Sequence, residues 1–483
     1  MKGNLRLFVV LVVLAVSSVV MSAAVKLPSI FSDNMMLQQA TSVKIFGKAD
    51  AGEKITVKAS WGAENRATAA ADGKWELYLD TPAATSNPQS LEIKGESGTE
   101  RIENVLIGEV WLCTGQSNME FPVCPQGDGS WATGMLGAEE ELADSDYPEI
   151  RLFQVAHQLA PDGEKDDVEG KWTVCNAGNL YNFSAVAYVF GKRLHKELGV
   201  PVGLVQDTWG GTPIEAWTKM DVMDGNPCYT DVLNMYARDK MEKEGWTWLI
   251  PSTLWNGMIV PIAGFTVKGN IWYQGESNVF ADKHYAQALI NLINSWREVW
   301  GQPDMPFYFA QIAPYANAPS LGVRDAQFQV WRKNGLKNVG MVATADVGDS
   351  IDIHPRNKKA VGERFARWAL AKQYGRDVAC SGPVFKSLSQ EDGRLVLEFD
   401  YAEGGLSTSD GEPVKAFEVA GSDKVFRPAA AEIKGSRIEV HSPDVAEPVA
   451  VRYAWKDFCR VNLVNAGGLP AVPFRSDSWS IYR

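Results

Sequence analysis

The sequence predicts an α/β protein in which a parallel sheet, covered by helices on both faces, lies between two all-β regions. Three observations lead to this fold class: strand-like and helix-like segments alternate from about residue 105 to 380, short β-type runs precede them, and β-type runs follow them. Alternating strands and helices favour a parallel sheet, because right-handed crossovers place each helix against it. The 483 residues leave room for several domains.

Residues 1–24 have the pattern of a secretory signal peptide. Lys2 and Arg6 precede a mostly apolar run at 7–20, and the small residues at 22–24 are typical of a cleavage site. The apolar run is shorter than the roughly 18 residues that a membrane span needs. We therefore expect a secreted or periplasmic protein whose mature form has no membrane span.

Residues 25–104 are predicted to form an N-terminal β-sandwich-like domain. Turn residues such as Ala51-Gly52 and Asp72-Gly73 separate its short β runs. The predicted strands are 42–46, 54–59, 74–78 and 90–94.

Residues 105–380 are predicted to form the central α/β domain, and residues 381–483 a C-terminal β region. The helix predicted at 285–300 repeats apolar residues at intervals of three and four, as a helix packed on a sheet does. Residues 120–181, rich in Gly and Asp, are interpreted as an irregular excursion over one face. The other predicted elements of this domain are strands at 105–113, 202–206, 265–273, 306–312 and 339–345, and helices at 185–198, near Ala326 and at 358–374.

The charge balance and the cysteines disfavour several kinds of partner. A net charge of −12 without a basic run argues against nucleic acid and anionic membranes. The six cysteines permit disulfides in an exported protein, but none forms a Cys-x-x-Cys pair, so zinc and redox chemistry are disfavoured. We expect neither a metal nor a cofactor.

Ser117 is the candidate nucleophile. It follows the strand predicted at 105–113, just after Gly115, and so stands at the carboxyl end of a strand, where active sites of doubly wound sheets lie. A serine needs a base within hydrogen-bond distance and donors for a developing oxyanion. The alternative is a turn or helix-capping serine. Met119 replaces the second glycine of an α/β-hydrolase elbow, which argues against that fold.

His354 is the candidate base. It lies in an acid-rich segment that follows the strand predicted at 339–345, again at the carboxyl edge of the sheet. Nearby carboxylates can hold an imidazole in one tautomer and stabilise its charged form. The alternative is an acidic surface loop with an incidental histidine. The remaining histidines, which lie in segments that give no comparable indication, are His157, His195, His284 and His441.

Two further polar segments follow predicted strands. Residues 272–278 offer the amides of Gln274 and Asn278 to an oxyanion, and Glu276 could order a histidine or bind sugar hydroxyls. Residues 209–217 offer unhindered backbone N–H groups. In a doubly wound sheet, polar loops at four strand ends converge on one crevice, which is the geometry that a nucleophile, a base and an oxyanion hole require.

Four motifs in these segments resemble the sialate O-acetylesterase family of the SGNH hydrolases. In the family's order they are Gly-Gln-Ser-Asn-Met-Glu, Trp-Gly-Gly-Thr-Pro-Ile-Glu-Ala-Trp, Trp-Tyr-Gln-Gly-Glu-Ser-Asn and Asp-Ile-His-Pro. The resemblance extends from about residue 27 to the end, where 468–475 is similar to a family ending. It implies an SGNH-type, flavodoxin-like three-layer α/β/α catalytic domain at 105–380. It also implies hydrolysis of acetyl esters on sugars, with 9-O-acetylated sialic acid the leading substrate and acetylated xylan or other glycans as alternatives.

The resemblance also implies roles for single residues. Ser117 matches the nucleophile and His354 the general base. The implied oxyanion donors are the backbone N–H groups of Ser117 and of Gly210 or Gly211, and the side-chain amide of Gln274; Asn278 is a further candidate for substrate binding. Many SGNH hydrolases place an aspartate three residues before the histidine, where this chain has Ile351. Three carboxylates therefore stay open as the group that orients the base: Asp352, Asp349 and Glu276.

Two alternatives of other classes also stay open. Paired Asp and Glu residues could serve a glycoside hydrolase, and Trp209, Trp217 and Trp272 could be stacking platforms of a non-catalytic carbohydrate-binding protein. Release of acetate rather than reducing ends distinguishes the esterase from the first. Reaction with a serine-directed inhibitor distinguishes it from the second.

Overall fold

A computed structural model describes residues 25–96, 98–127, 129–333 and 335–480. The predicted signal peptide at 1–24 lies outside these ranges. Within them, the chain alternates between sheet-only and mixed regions in the predicted order, which confirms the fold class. None of the helices in the described part of the chain has both the length and the apolar character that a bilayer crossing requires.

The N-terminal strands alternate buried and exposed residues. In the antiparallel pair β2–β5, for example, Val43 and Ile45 are buried opposite Leu79 and Leu77, the period of two expected of strands with one face on a core. The strands are β1 (Met36–Gln38), β2 (Ser42–Lys48), β3 (Lys54–Ala59), β4 (Glu64–Thr68), β5 (Lys74–Asp80), β6 (Thr85–Lys94) and β7 (Thr99–Gly115).

The last of these strands continues into the central sheet. The order there is β13-β12-β11-β7-β10-β8-β9, and all neighbours are parallel except β8 and β9. The additional strands are β8 (Tyr147–Gln154), β9 (Trp172–Cys175), β10 (Val202–Thr208), β11 (Gly269–Tyr273), β12 (Phe307–Ala310) and β13 (Val339–Val342). Two of them, β8 and β9, lie inside the segment 120–181, so the expectation that this segment is irregular throughout is wrong.

Helices cover both faces of this sheet. Successive strand residues point to opposite faces, so Ile271 packs with the cluster that contains α4 and α9, while Trp272 packs with the cluster that contains α7. The helices are α1 (Ser117–Glu120), α2 (Ala138–Ala143), α3 (Ala177–Leu180), α4 (Ala185–Leu198), α5 (Thr230–Met235), α6 (Arg238–Glu244), α7 (Tyr285–Trp300), α8 (Leu321–Lys333) and α9 (Lys358–Gln373). The result is a three-layer α/β/α arrangement.

Three adjacent strands end level with one another. Gly115, the last residue of β7, is opposite Thr208 of β10 and Tyr273 of β11. Gly115 has a φ of 138°, and a Cβ there would lie 2.2 Å from the Tyr273 carbonyl oxygen. A glycine is therefore required where the chain turns out of the sheet, and the segments that follow the three strands emerge side by side.

The C-terminal region is antiparallel. Its own core includes Leu395, Val419 and Ile438, and all six cysteines of the chain lie in described ranges without a disulfide bond. The strands are β14 (Val384–Glu391), β15 (Arg394–Asp400), β16 (Leu406–Thr408), β17 (Phe417–Ala420), β18 (Arg427–Pro428), β19 (Ala430–Lys434), β20 (Arg437–His441), β21 (Ala450–Tyr453), β22 (Leu463–Asn465) and β23 (Phe474–Arg475).

Candidate active site

Ser117 and His354 lie within hydrogen-bond distance of each other. Ser117 is the first residue of α1, directly after the turn at Gly115, and is 7% exposed. Its Oγ is 2.9 Å from Nε2 of His354, although 237 residues separate the two in the chain. This distance allows the hydroxyl to donate its proton to a neutral imidazole.

The surroundings of His354 favour the neutral ring. Burial and, second, the positive charge of Lys358 lower the pKa of His354 to about 4, although the negative charge of Asp352 opposes them. The rings of Trp131 and Phe121 lie 4.9 and 6.4 Å from the imidazole, measured between centroids. At neutral pH, His354 is therefore able to accept a proton.

The three candidate carboxylates occupy different positions around the base. Asp352 Oδ1 is 3.7 Å from Nδ1 of His354, too far for a hydrogen bond, and accepts the backbone N–H of His354 at 2.8 Å. Asp349 accepts the backbone N–H groups of Ile351 and Asp352. Glu276 bonds to Asn118 and not to the imidazole. Asp352 is thus the one of the three that lies beside the ring.

The backbone of Gly210, one of the predicted donors, is close to Ser117. A Cβ on Gly210 would lie 3.2 Å from Cβ of Ser117. The N–H of Gly210 is already engaged, because it donates to Oε2 of Glu120 at 2.6 Å. The N–H of Gly211 has no partner in the described ranges, and the N–H of Ser117 opens a helix, where the first N–H groups lack intrahelical partners.

Gln274 and Asn278 lie in a buried polar network instead of offering free amides. Gln274 donates its two side-chain N–H groups to the Thr212 carbonyl at 3.1 Å and to Asn278 Oδ1 at 2.7 Å. Asn278 in turn donates to both oxygens of Glu215 and accepts the Ile214 N–H. An oxyanion could receive a bond from Gln274 only if one of its present partners were released. The network fixes the segment 209–217 against the end of β11.

Sequence reasoning missed several residues that surround this pair. His157 lies in a segment that gives no indication of a functional role, yet its Nε2 is 2.8 Å from Glu120 Oε1 and its ring stacks on Trp209, with 4.1 Å between the ring centroids. His284 likewise has a partner, because its Nε2 is 2.5 Å from Glu215 Oε1. The carboxylates stand 37 and 69 residues away in the chain, so no local pattern pairs them with a histidine. The one local signal was the position of Glu120, one turn after the nucleophile.

The tryptophans proposed as sugar platforms differ in exposure. Trp217 and Trp272 are fully buried and contact each other edge to face, so neither can stack on a ligand. Trp209 is partly exposed but covered on one face by His157. Trp131, which was not singled out from the sequence, is 43% exposed and lies beside His354. It is the tryptophan best placed to meet a substrate.

Comparisons with known proteins agree with the four sequence motifs. A family model described as carbohydrate esterase, sialic acid-specific acetylesterase, matches residues 107–371. The chain is similar to the sialate O-acetylesterases of Rattus norvegicus (29% identity over 518 residues; 92% of this chain and 93% of the relative) and Homo sapiens (28% over 504 residues; 92% and 91%).

A solved structure agrees over almost the whole chain. The carbohydrate acetylesterase from Xanthomonas citri is 33% identical, and the two structures superpose with a TM-score of 0.83 over 94% of this chain and 100% of that chain. These matches confirm the resemblance predicted from the motifs and favour the esterase over the glycoside hydrolase and the non-catalytic binding protein. The chain belongs to the carbohydrate esterase family of sialic acid-specific acetylesterases and is a hydrolytic esterase.

Proposed function

We propose that this esterase removes acetyl groups from sugars through an acetyl-enzyme on Ser117, with 9-O-acetylated sialic acid as its preferred substrate. One observation carries the mechanism: the Ser117 hydroxyl lies 2.9 Å from the Nε2 of a partly buried histidine at the carboxyl edge of the sheet. The relatives named sialate O-acetylesterase support the choice of substrate. Acetylated xylan and other acetylated glycans are the alternatives.

The proposed reaction has two halves. In the first, His354 takes the Ser117 proton as Oγ attacks the acetyl carbonyl, and then passes that proton to the sugar oxygen as the C–O bond breaks. In the second, His354 takes a proton from water as the water oxygen attacks the acetyl-enzyme carbonyl, and then returns that proton to Ser117 Oγ as the ester bond breaks and acetate leaves. The low pKa of His354 keeps the ring unprotonated before each attack.

Backbone N–H groups are the proposed oxyanion donors. Those of Ser117 and Gly211 have no competing partner among the residues that the structure describes, whereas the Gly210 N–H becomes available only when Glu120 releases it. Gln274 stays a candidate donor on the same condition. Loss of one such donor typically lowers kcat by about 10²–10³.

We also propose that the protein is exported. The support is the charged, apolar and small-residue pattern of residues 1–24. Amino-terminal sequencing of protein recovered from the periplasm or the medium should then begin near residue 25. A mature protein that retained residues 1–24 in the cell interior would refute export.

The test of activity compares two variants on two substrates. Purified protein is incubated with a mixture of O-acetylated sialic acids and, separately, with acetylated xylan, and acetate is measured. We expect release from the 9-O-acetylated species, no release by Ser117→Ala, and wild-type release by Ser407→Ala, a matched change at an exposed serine of the C-terminal region.

Covalent labelling separates mechanism from substrate. A serine-directed phosphonate should add one equivalent to wild-type protein, on the peptide that contains Ser117, and none to Ser117→Ala. Wild-type activity in Ser117→Ala would refute the mechanism, and faster release from xylan than from sialic acid would refute the substrate.

A further inference from the structure

Two polar side chains and one carboxylate oxygen are buried behind Ser117 and His354. Asn118 is fully buried, Lys358 is 1% exposed, and the Oε2 atom of Glu276 is buried without a hydrogen-bond partner in the described ranges. They belong to three different elements: α1, the start of α9, and the turn after β11. Burial of a polar group costs free energy unless hydrogen bonds replace its bonds to water. The contacts of these groups therefore determine whether their burial is tolerated.

The amide of Asn118 lies at the centre of this group. Its Oδ1 accepts a hydrogen bond from the Lys358 ammonium group. Its Nδ2 donates to Glu276 Oε1 at 2.6 Å and to the Ile353 carbonyl at 3.1 Å. A reversed amide would set its NH₂ against an ammonium group and its oxygen against two acceptors. The surroundings therefore allow one orientation of Asn118.

That orientation joins the two reacting segments. Asn118 follows Ser117 in the chain, and Ile353 precedes His354, so a single side chain bonds the nucleophile's helix to the loop that carries the base. Lys358 adds a second link, because its ammonium group lies 4.5 Å from the ring centroid of Phe121, at the end of the same helix. Displacement of a reacting group by about 1 Å can lower a rate about 10²-fold.

We propose that Asn118 is the positioning residue for the Ser117–His354 pair, and that Lys358 and Glu276 hold its amide in the required orientation. The inference rests on the proposed function, because it assumes that these two residues react. It adds a second role to Glu276, which acts through Asn118 and not on the imidazole. It also gives Lys358, which no motif singled out, a place behind the site.

The charges around His354 supply an independent readout. The charged groups that influence its ring are Lys358 and Asp352, and those that influence Lys358 are Glu276 and Asp352. Burial lowers the pKa of Lys358 to about 7 and raises that of Glu276. Lys358 is thus protonated in the acidic range where His354 titrates. Removing this cation should raise the pKa of His354.

The first experiment changes the acceptor at position 276. Glu276→Gln retains an oxygen that can accept from Asn118, whereas Glu276→Leu has none. We expect kcat for acetate release to fall less than about fivefold in the first and about 10²-fold in the second, with KM within twofold of wild type in both. Asn118→Leu should lower kcat by about the same factor as Glu276→Leu, about 10²-fold, with KM within twofold of wild type. Thermal unfolding identifies any variant that does not fold.

The second experiment changes the cation. Lys358→Met should move the acid limb of kcat/KM to higher pH, because the base then protonates more readily. Lys359→Met is the matched control. Lys359 is the next residue, is exposed and pairs with Glu141 and not with any group at His354, so the acid limb of this variant should stay at the wild-type pH. A purely structural role for Lys358 would lower stability without moving the limb.

The outcomes separate this inference from the proposed function. Activity retained by Ser117→Ala refutes the mechanism itself. If wild-type protein is active and Ser117→Ala is not, a folded Asn118→Leu with wild-type kcat overturns the positioning role. Should Asn118→Leu fail to fold, equal kcat values for the two Glu276 variants, or an unmoved limb in Lys358→Met, overturn it instead.

Discussion

The carboxylate of Glu120 accepts a hydrogen bond from the backbone N–H of Gly210 at 2.6 Å, and both groups lie beside Ser117. The other oxygen of Glu120 bonds His157. The Glu120 side chain thus joins α1 to the segment after β10. It also engages the Gly210 N–H, which is one of the proposed oxyanion donors.

The first prediction concerns this acceptor. Glu120→Ala leaves the Gly210 N–H and His157 without their partner, and the side chain is 18% exposed, so we expect a loss on the order of 1–2 kcal/mol in the free energy of unfolding. Glu120→Gln retains an acceptor and should lose less than half of that. Urea unfolding measures the free energy of unfolding of both variants. If the unfolding curves of Glu120→Ala and Glu120→Gln coincided, the stabilising role of the Glu120 acceptor would be contradicted.

The second prediction is the pH range of activity. A histidine with the usual pKa of about 6.5 loses its base function below that pH, but the pKa of His354 lies near 4. The folded ring therefore stays neutral between these values, and the acid limb of kcat/KM should fall below pH 6. Initial rates of acetate release from pH 4 to 8, with stability checked at each pH, test this. An acid limb at or above pH 6.5 would show that burial does not depress the pKa.

The third prediction is that loss of the Asp352 carboxylate lowers kcat much less than loss of the His354 imidazole. Because Asp352 Oδ1 is 3.7 Å from Nδ1 and the side chain is 41% exposed, Asp352→Asn should lower kcat about tenfold or less, whereas His354→Ala should lower it by at least about 10³-fold. Steady-state kinetics of both variants provide the comparison. Equal losses would mean that the two side chains form a direct bond during the reaction.

The fourth prediction concerns substrate contact by Trp131. The indole is exposed at the edge of the site, and removal of a stacking surface worth about 1.4 kcal/mol weakens binding about tenfold. Trp131→Ala should therefore raise KM about tenfold and change kcat less. Tyr78→Ala, at an exposed aromatic of β5, is the control. An unchanged KM in Trp131→Ala would remove it from the binding surface.

Segments with local signals were predictable from the sequence. Helix α4 matches its predicted bounds because Ser184 caps its first turn and Gly199 ends it with a left-handed φ of 66°. Strand β8 was missed because it contains Pro148 and Arg151, which interrupt the apolar pattern. Arg151 is nonetheless buried, and its guanidinium donates to backbone carbonyls that include Asn34 and Pro148. The Asn34 carbonyl lies 117 residues away in the chain, so no local pattern indicates that acceptor.

In the candidate site too, features with a local sequence signal were predictable and features that depend on distant residues were not. Ser117 and His354 stood out because each follows a strand, and strand ends meet at one edge of a parallel sheet. Gln274 was predicted to face the substrate, whereas its partner Thr212 is 62 residues away. Amide orientation depends on such distant partners, and local sequence does not encode them. Lys358 was overlooked because a lysine at a helix start is typical of the surface.

Strand β7 belongs both to the N-terminal β region and to the central parallel sheet. Its opening residues pair with β1 and β6 and its closing residues with β10 and β11. A truncated chain that started at residue 105 would keep β10 and β11 beside Ser117, but it would remove β1 and β6 from the other end of the same strand. Excision of the central region alone should therefore yield insoluble or inactive material. We therefore expect the N-terminal β region and the central sheet to fold as one unit.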